Sequence, residues 1–565
     1  MPSPDPATPQ PSAGVAHHRE SGRHAALVAG GILLSRLSGL VRQRVFAHYL
    51  GSGPVAGVFN AALRIPNLLQ NLLGEGVLSS SFIPVYAHLL ARGEDDEADR
   101  VAGAAGGLLA AATAVLVLAG MLAAPLLVEV ITPGLSGADH ALGVRLVRIL
   151  FPATGTLVLS AWCLGVLNSH RRFFLSYAAP VVLNGAVVAA LILGGVAARG
   201  DPALEVRVAG FTAWGYVAGA AAQVAVQLPA ARALLGPGFL PSLDAARASV
   251  RTVLRNFLPA LVGRGVVQLS AFVDTIYASY VGTRGLAALG YQQILYLLPI
   301  SLFGMAVSAS ELPAMSAAVG SAEAVAAELR TRLDGGLSRL AFFVVPSAAA
   351  FLALGDVVAG TVFQTGRQDA ADTRYLWLVL MGSTVGLLAA SMGRLYASAF
   401  YALKDTRTPL RFALLRLALT AGLAWWSAVR MPGALGVPKE LGLVGITATT
   451  GLAAWVEYAL LRRSMNRRIG RTGLPGPTLL RLWASAAVAG VAGLAVKAAL
   501  VRWLGPAPGL AGQWGGGFLP PPHLHPAATG ALVLAPFAAV YLALALCTSP
   551  GGPRQSLARL RRRGR

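Results

Sequence analysis

The stretch SRLSGLVRQRVF, residues 35–46, lies inside the first long apolar run of the chain and carries three arginines. They are Arg36, Arg42 and Arg44. On an insertion scale, each arginine costs roughly 2.5–3.5 kcal/mol at the centre of a helix that faces lipid. If the run is a membrane helix, these arginines need surroundings other than lipid.

The composition indicates an all-α polytopic membrane protein. Of 565 residues, 55% are hydrophobic and 12% are charged, and the mean hydropathy is +0.63. Soluble proteins have about 25% charged residues. Apolar runs of about 20 residues, long enough to cross a bilayer, recur along the chain, and they exclude a soluble enzyme. We predict about fourteen transmembrane helices, near 25–50, 57–90, 101–131, 141–168, 173–198, 207–233, 252–282, 287–318, 338–364, 373–403, 409–430, 441–463, 478–503 and 526–548.

The net charge of +22 is better explained by membrane topology than by binding to nucleic acid. Basic residues concentrate in alternate loops, as in KDTRTPLR (404–411) and RRSMNRRIGR (462–471), and in the C-terminal tail. Cytoplasmic loops of membrane proteins carry such an excess. We therefore expect both termini in the cytoplasm and no nucleic-acid partner.

An internal repeat predicts two halves. RVFAHYLGS (44–52) ends the first span and TIYASYVGT (275–283) ends the seventh, 231 residues later. Two six-helix lobes are a known transporter plan, with the binding site at the repeat interface. The predicted organisation is a disordered cytoplasmic lead-in (1–24), an N-terminal lobe (25–235), a C-terminal lobe (250–470), two additional helices (476–548) and a basic cytoplasmic tail (549–565).

The motifs of soluble enzymes are missing from the sequence. The three lysines do not follow a glycine, so there is no phosphate-binding P-loop, and no nucleophile–base pair or metal-ligand set stands out. We predict a transporter with no catalytic residues, no metal and no cofactor. A membrane potential or a gradient of Na⁺ or H⁺ would drive it.

Charged residues inside the spans are the candidate binding residues, because ionisable groups at this depth usually face a cavity and have a function. Arg36 and Arg42 are six residues apart and do not share a face of a straight helix, so both reach one ligand only if the helix bends at Gly39 or the cavity is wide. Glu75 either contacts the ligand or pairs with an arginine of the first span. The other candidates are Arg64, Arg264 and Asp274.

Three charges of the later spans favour structural roles. We interpret Arg394 as an ion-pair partner, and Lys497 and Glu457 as snorkelling or helix-pairing residues because they lie near the ends of spans. The arginines of the first half, in contrast, favour an anion, which a guanidinium binds while staying charged. An anionic head with an apolar tail fits best: a lipid-linked pyrophosphate, a fatty-acid-like anion or an anionic drug.

Five motifs stand out along the chain: SRLSGLVRQRVFAHYLG (35–51), RIPNLLQNLLGEGVLSSSFIPVYAHLL (64–90), GVLNSHRRFFLSYAAPVVLN (165–184), PALVGRGVVQLSAFVDTIYASYVG (259–282) and FYALKDTRTP (400–409). They resemble, in order, motifs of the MurJ (MviN) lipid II flippases, and the resemblance runs from about residue 25 to 548. This family belongs to the multidrug/oligosaccharidyl-lipid/polysaccharide exporter superfamily. The resemblance implies two six-helix lobes around a central cavity and two C-terminal helices that form a groove for the lipid tail.

The resemblance also implies site residues. Arg36 and Arg42 match the arginines of the family's first helix, which are thought to engage the diphosphate. Glu75 matches the acid of the GEG-like turn, and Asp274 matches an acid that takes part in cation binding in some members. Asn67 and Gln70 follow Arg64 in the same motif and are candidate substrate-binding residues with it.

Three positions depart from the family pattern: Gly57 replaces an acid, and Gln70 and Ile294 replace arginines. Arg264 stands at a place that is usually apolar. We hypothesise that Arg264 restores the charge lost at Ile294.

The expected function is a flippase that moves lipid-linked peptidoglycan precursor (lipid II) to the outer leaflet of the bacterial cytoplasmic membrane, for cell-wall synthesis. Its expected partners are the undecaprenyl-pyrophosphate-linked disaccharide-peptide, membrane lipid and cell-wall synthesis proteins. Two alternatives stay open: an exporter of another lipid-linked glycan or drug, and a degenerate scaffold of the cell-wall machinery that does not transport.

Overall fold

The computed structural model describes residues 13–316, 321–507 and 519–548. The side chains of 13–29, 75, 258–260, 262–271, 306, 309, 313, 314 and 548 lie outside the description. Every regular element in the described ranges is helical, which confirms the all-α prediction.

The helices follow one another with short connections. Their bounds are α1 (Ala13–Leu50), α2 (Pro54–Leu73), α3 (Glu75–Ala91), α4 (Asp95–Leu122), α5 (Ala124–Ile131), α6 (Gly137–Ser169), α7 (Phe173–Ala178), α8 (Pro180–Ala197), α9 (Leu204–Arg232), α10 (Ala248–Val281), α11 (Thr283–Pro299), α12 (Met305–Ser316), α13 (Ala322–Phe363), α14 (Ala370–Ala402), α15 (Arg407–Trp425), α16 (Met431–Leu435), α17 (Gly442–Ile469), α18 (Gly476–Leu504) and α19 (Pro526–Thr548).

The polytopic membrane fold is confirmed. Within the described residues, ten helical segments are long and apolar enough to cross a bilayer. Each of the fourteen predicted spans coincides with one helix or with adjacent helices in series, such as α2 with α3. The count of fourteen crossings stays a prediction, as do the bounds of the two lobes.

The internal repeat has a counterpart in the backbone. Gly51 and Gly282, the glycines shared by the two repeat motifs, both adopt positive φ, +55° and +126°, where chain direction changes after α1 and α10. A residue with a side chain rarely adopts these angles. Arg171 and Lys404 form a second pair, with φ of +60° and +58° in the turns after α6 and α14.

The second span is interrupted in each half. α2 ends at Leu73 and α3 begins after Gly74, whereas α11 passes into a π-helical turn, Ile300–Gly304, before α12. Pro66 lies within α2 without ending it. Mid-span irregularities of this kind are frequent at functional sites.

The residues of the KDTRTP motif (404–409) form the turn after α14, and their contacts explain why the motif contains them. Asp405 Oδ1 accepts hydrogen bonds from the backbone N–H groups of Arg407 and Thr408, both at 3.0 Å. Its Oδ2 accepts from the hydroxyl of Thr408 and from Arg468 of α17. The hydrogen bonds from Thr408, and then Arg468, lower the pKa of Asp405 to about 2. The motif therefore caps α15 and ties the turn to α17.

The chain divides into two compact units. The described residues of the first fall within Met1–Val45, Leu63–Pro125 and Val144–Gly265, and its core is lined by Phe82, Tyr86 and Trp162. The Trp162 indole N–H donates to the carbonyl oxygen of Ala102 at 3.1 Å.

The second unit holds the described residues of Phe46–Ala62, Leu126–Gly143 and Val266–Arg565. Its first segment is fixed by polar contacts with later helices. The Tyr291 hydroxyl donates to the carbonyl oxygen of Gly51 at 2.6 Å, and the Ser52 hydroxyl donates to Gln368 Oε1 at 2.9 Å.

Candidate functional site

The candidate residues of the first unit begin on α1, which continues as one helix through Gly39. At about 100° per residue, Arg36 and Arg42 are about 120° apart around this helix. They leave α1 on different faces, and their side chains have different surroundings.

Arg42 is half-buried and contacts the neighbouring helix α9. Its guanidinium carbon lies 5.3 Å from the ring centroid of Tyr216, which is 8% exposed. A guanidinium over an aromatic face gains about 0.5–2 kcal/mol, depending on desolvation. The tyrosine ring therefore compensates part of the cost of placing Arg42 inside a span.

Arg36 is exposed and forms no ion pair with the residues that the structure describes. The adjoining face of α1 is fixed to α8 through Asn184, whose amide donates to the Ser38 hydroxyl at 2.8 Å and to the carbonyl oxygen of Ser35 at 3.4 Å. α1 is therefore anchored beside Arg36, whose guanidinium has no hydrogen-bond partner among the described residues and can donate to a ligand.

A second group of candidates lies on α2. Arg64, Asn67 and Gln70 are half-buried and follow one another at intervals of three residues, so they share one side of the helix. Asn71 extends this polar side, because it lies seven residues, about two turns, after Arg64. Asn71 is not among the candidates predicted from the sequence, although its spacing from Arg64 is a usable signal.

The break between α2 and α3 determines the position of the next candidate, Glu75. The N–H of Gly74 donates to the carbonyl oxygen of Gln70 at 2.8 Å, and Gly74 leaves the helical conformation at ψ −153°. Glu75 is then the first residue of α3, a position where the helix dipole favours an acid. Its side chain lies outside the described residues, as does that of Arg264 in α10.

Asp274 lies in the second unit, on α10. It is half-buried and its Oδ1 accepts a hydrogen bond from the hydroxyl of Thr450 on α17, at 3.1 Å. Thr450 is a partner that the sequence argument did not name. In the described part of the chain, no group of three or more His, Cys, Asp or Glu side chains could hold a metal ion.

Helix pairing, one of the two roles predicted for Lys497 and Glu457, is confirmed, whereas the ion pair predicted for Arg394 is not formed with the described residues. Lys497 does not snorkel: it is 1% exposed, and its Nζ lies 2.5 Å from Asp356 Oδ2 and 2.8 Å from the carbonyl oxygen of Leu519. Glu457 pairs with Arg416 at 3.0 Å. Arg394, interpreted as an ion-pair partner, forms no ion pair with any described residue.

The structure gives a physical reason for the absent acid at Gly57. A Cβ atom at this position would overlap the backbone carbonyl of Thr283, at the start of α11. Only glycine allows α2 and α11 to approach this closely. Ile294, another departure, is a half-buried residue of α11.

The chain matches the family model "Lipid II flippase MurJ" over residues 46–510. It is 31% identical over 483 residues to a Burkholderia cenocepacia protein named lipid II flippase MurJ, covering 84% of this chain and 88% of that protein. A Rhizobium meliloti protein named probable lipid II flippase MurJ is 30% identical over 485 residues, covering 85% and 86%. The family match begins after Arg36 and Arg42 and includes Arg64, Asp274 and the residues between them.

Two solved structures share the fold. A lipid II flippase MurJ in an inward closed conformation has a TM-score of 0.69 and 18% identity, and the match covers 92% of this chain and 98% of that one. An inward-facing multidrug resistance MATE family transporter has a TM-score of 0.60 and 18% identity, with 77% and 94% covered.

Proposed function

The chain belongs to the lipid II flippase MurJ family, and we propose that it moves lipid II from the inner to the outer leaflet of the bacterial cytoplasmic membrane by alternating access. It is a multi-pass membrane transporter rather than an enzyme. The observation that carries this function is the family match over most of the chain. Relatives at 30% identity or more support it.

The proposed substrate is the undecaprenyl-pyrophosphate-linked disaccharide-peptide. Its diphosphate would meet Arg36, which is exposed on α1, and the polar side of α2 formed by Arg64, Asn67 and Gln70. Guanidinium groups suit phosphate because they present several donors in a planar fork and remain charged. Arg42, packed on Tyr216, would contribute positive charge from the adjoining face. Glu75 and Arg264 remain candidates for the same site.

The lipid tail would lie along α18 and α19. Both helices expose large apolar side chains, including Val488 and Val491 on α18 and Leu532 and Leu542 on α19. Such surfaces suit a polyprenyl chain better than water. The clustering of basic residues in alternate loops supports cytoplasmic termini.

Asp274 is the proposed coupling residue for a cation, with a membrane potential or a gradient of Na⁺ or H⁺ as the driving force. Its support is the hydroxyl of Thr450, an oxygen ligand next to the carboxylate on a second helix. Cell-wall synthesis proteins are the proposed protein partners, because they consume lipid II at the outer leaflet.

Complementation tests the function. The native lipid II flippase of a tractable bacterium is depleted, this chain is expressed, and survival is followed. We expect rescue by the wild-type chain and loss of rescue with Arg36→Ala. Arg502→Ala, which removes an exposed arginine from the last turn of α18, is the matched control and should rescue.

Membrane insertion is measured for every variant. A well-inserted wild-type chain that fails to rescue would contradict the proposal and favour another cargo or the scaffold. Rescue by Arg36→Ala at wild-type efficiency would retain the flippase and remove Arg36 from its site.

A further inference from the structure

The second half contains a pair of arginines at matched depth. α14 ends at Ala402 and α15 begins at Arg407, so a short turn joins them. Arg394 is eight residues before the end of α14, and Arg416 is nine residues after the start of α15. At about 1.5 Å per residue they lie about 12 Å and 14 Å from the turn.

α17 packs against both of these helices. Its Glu457 Oε2 lies 3.0 Å from a terminal guanidinium nitrogen of Arg416, and the side chains are 17% and 30% exposed. Arg394 is within electrostatic range of Glu457 and Arg416. Among the described residues, Arg416 alone forms an ion pair with this carboxylate, so Arg394 leaves one positive charge in excess at this depth.

Arg394 lies on a helix that packs against several other helices of this half. It is exposed on a helix that is otherwise largely buried, with both chain neighbours, Gly393 and Leu395, buried. Its electrostatic partners lie on three different helices: Tyr296 on α11, Arg416 on α15 and Glu457 on α17. A side chain among three helices of a bundle does not face lipid.

The pair also keeps hydrogen-bond donors free. Arg394 has no ion pair with a described residue, and the buried Nε of Arg416 has no hydrogen-bond partner in the described part of the chain. An unpaired guanidinium inside a span is costly, which is why ionisable groups there usually serve a ligand or pathway. An anion that accepts from both guanidinium groups would satisfy these donors and neutralise the excess charge.

Asp274 of α10 is the acid that could oppose an anion. It accepts a hydrogen bond from Thr450 of α17, which is seven residues before Glu457 and hence about 10 Å from it along that helix. The positive end of the cluster is therefore at Arg394 and Arg416. We infer that these two arginines form an anion-binding site within the second half, for a phosphate or carboxylate group of the transported lipid. This inference rests on the proposed function.

The test measures lipid binding to the purified full-length protein by native mass spectrometry. The probes are lipid II, undecaprenyl diphosphate, and lipid II with amidated peptide carboxylates. The variants are Arg394→Gln, Arg416→Gln and the charge-conserving Arg394→Lys. Arg411→Gln removes an exposed arginine of the same helix α15 and is the matched control.

We expect about a tenfold loss of lipid II affinity in each glutamine variant, as for a lost hydrogen bond to a charged group. Arg394→Lys and Arg411→Gln should stay close to wild type. If the glutamine variants also lose affinity for undecaprenyl diphosphate, the bound anion is the diphosphate. If they lose affinity for lipid II and keep it for the amidated lipid, the bound anions are the peptide carboxylates.

A second measurement uses only the wild-type protein, so that it tests the site even if the variants do not fold. Phenylglyoxal modifies accessible arginines, and lipid II should protect Arg394 and leave Arg411 unprotected. Equal binding by wild type and glutamine variants, or no protection of Arg394, would overturn the site while leaving the flippase intact. Failure of the wild-type protein to bind lipid II would overturn the proposed function and the site together.

Discussion

The ion pair between Asp356 and Lys497 yields a sharp prediction about how α18 is held. The two side chains are 2% and 1% exposed, and the pair joins α13 to α18. Lys497 Nζ also donates to the carbonyl oxygen of Leu519 and lies 5.8 Å from the ring centroid of Trp377. This lysine therefore has an anion, a carbonyl oxygen and an aromatic ring as partners.

Lys497→Met keeps the length of the side chain and leaves Asp356 buried without its counter-charge. Breaking a buried pair in this way costs about 3–5 kcal/mol. Replacing both partners, with Asp356→Leu and Lys497→Met, removes the uncompensated charge. A buried pair exchanged for apolar residues is often neutral or stabilising by about 1–4 kcal/mol. The double variant should therefore be more stable than either single variant.

Denaturant unfolding of the purified protein in detergent, followed by tryptophan fluorescence, measures the free energies of unfolding. Lys439→Met, which changes an exposed lysine before α17, is the control and should leave stability unchanged. If Lys497→Met lay within about 1 kcal/mol of wild type, or if the double variant were as unstable as the single one, this reasoning about the pair would be refuted.

Three further predictions concern the turns and α1. Asp405→Asn should lower the stability of the fold at neutral pH by roughly 1 kcal/mol after solvent screening. Because the folded-state pKa of Asp405, about 2, is below its ordinary value, the wild-type protein should lose this stabilisation as the pH falls from about 4 to 2. Thermal melts across that range should show that the melting temperature of the variant depends less on pH than that of the wild type. Gly57→Asp should destabilise by about 1–3 kcal/mol through overlap with the Thr283 carbonyl, and unchanged denaturant unfolding would contradict this. Tyr216→Leu should cost about 0.5–2 kcal/mol through lost stacking on Arg42, whereas Tyr216→Phe keeps the ring; equal stability of the two would show that the stacking contributes nothing.

Local pattern was enough to predict the helices. The predicted spans coincide with the described helices except the short α16, Met431–Leu435, and the glycines shared by the two repeat motifs both adopt positive φ. These features depend on neighbouring residues alone. The separate faces of Arg36 and Arg42 likewise follow from the 3.6-residue period, because α1 continues through Gly39.

Partners distant in sequence could not be predicted. Lys497 lies close to the end of a span, which favoured either snorkelling or helix pairing, and nothing local indicates its partner, the carboxylate of Asp356, 141 residues earlier. Tyr216 beside Arg42 and Thr450 beside Asp274 are of the same kind. Gly57 looks like a lost charge in the sequence, whereas the close approach of Thr283 gives the glycine a packing role.

The most direct test of the central claim is the amount of lipid II in the outer leaflet. Cells depleted of their own flippase and expressing this chain are treated with an external enzyme that cleaves lipid II, and the cleaved fraction is quantified. The account predicts wild-type levels of cleavage with this chain, and depleted levels with the well-inserted Arg36→Ala variant. Cleavage no higher than in depleted cells, despite full membrane insertion of the wild-type chain, would contradict it.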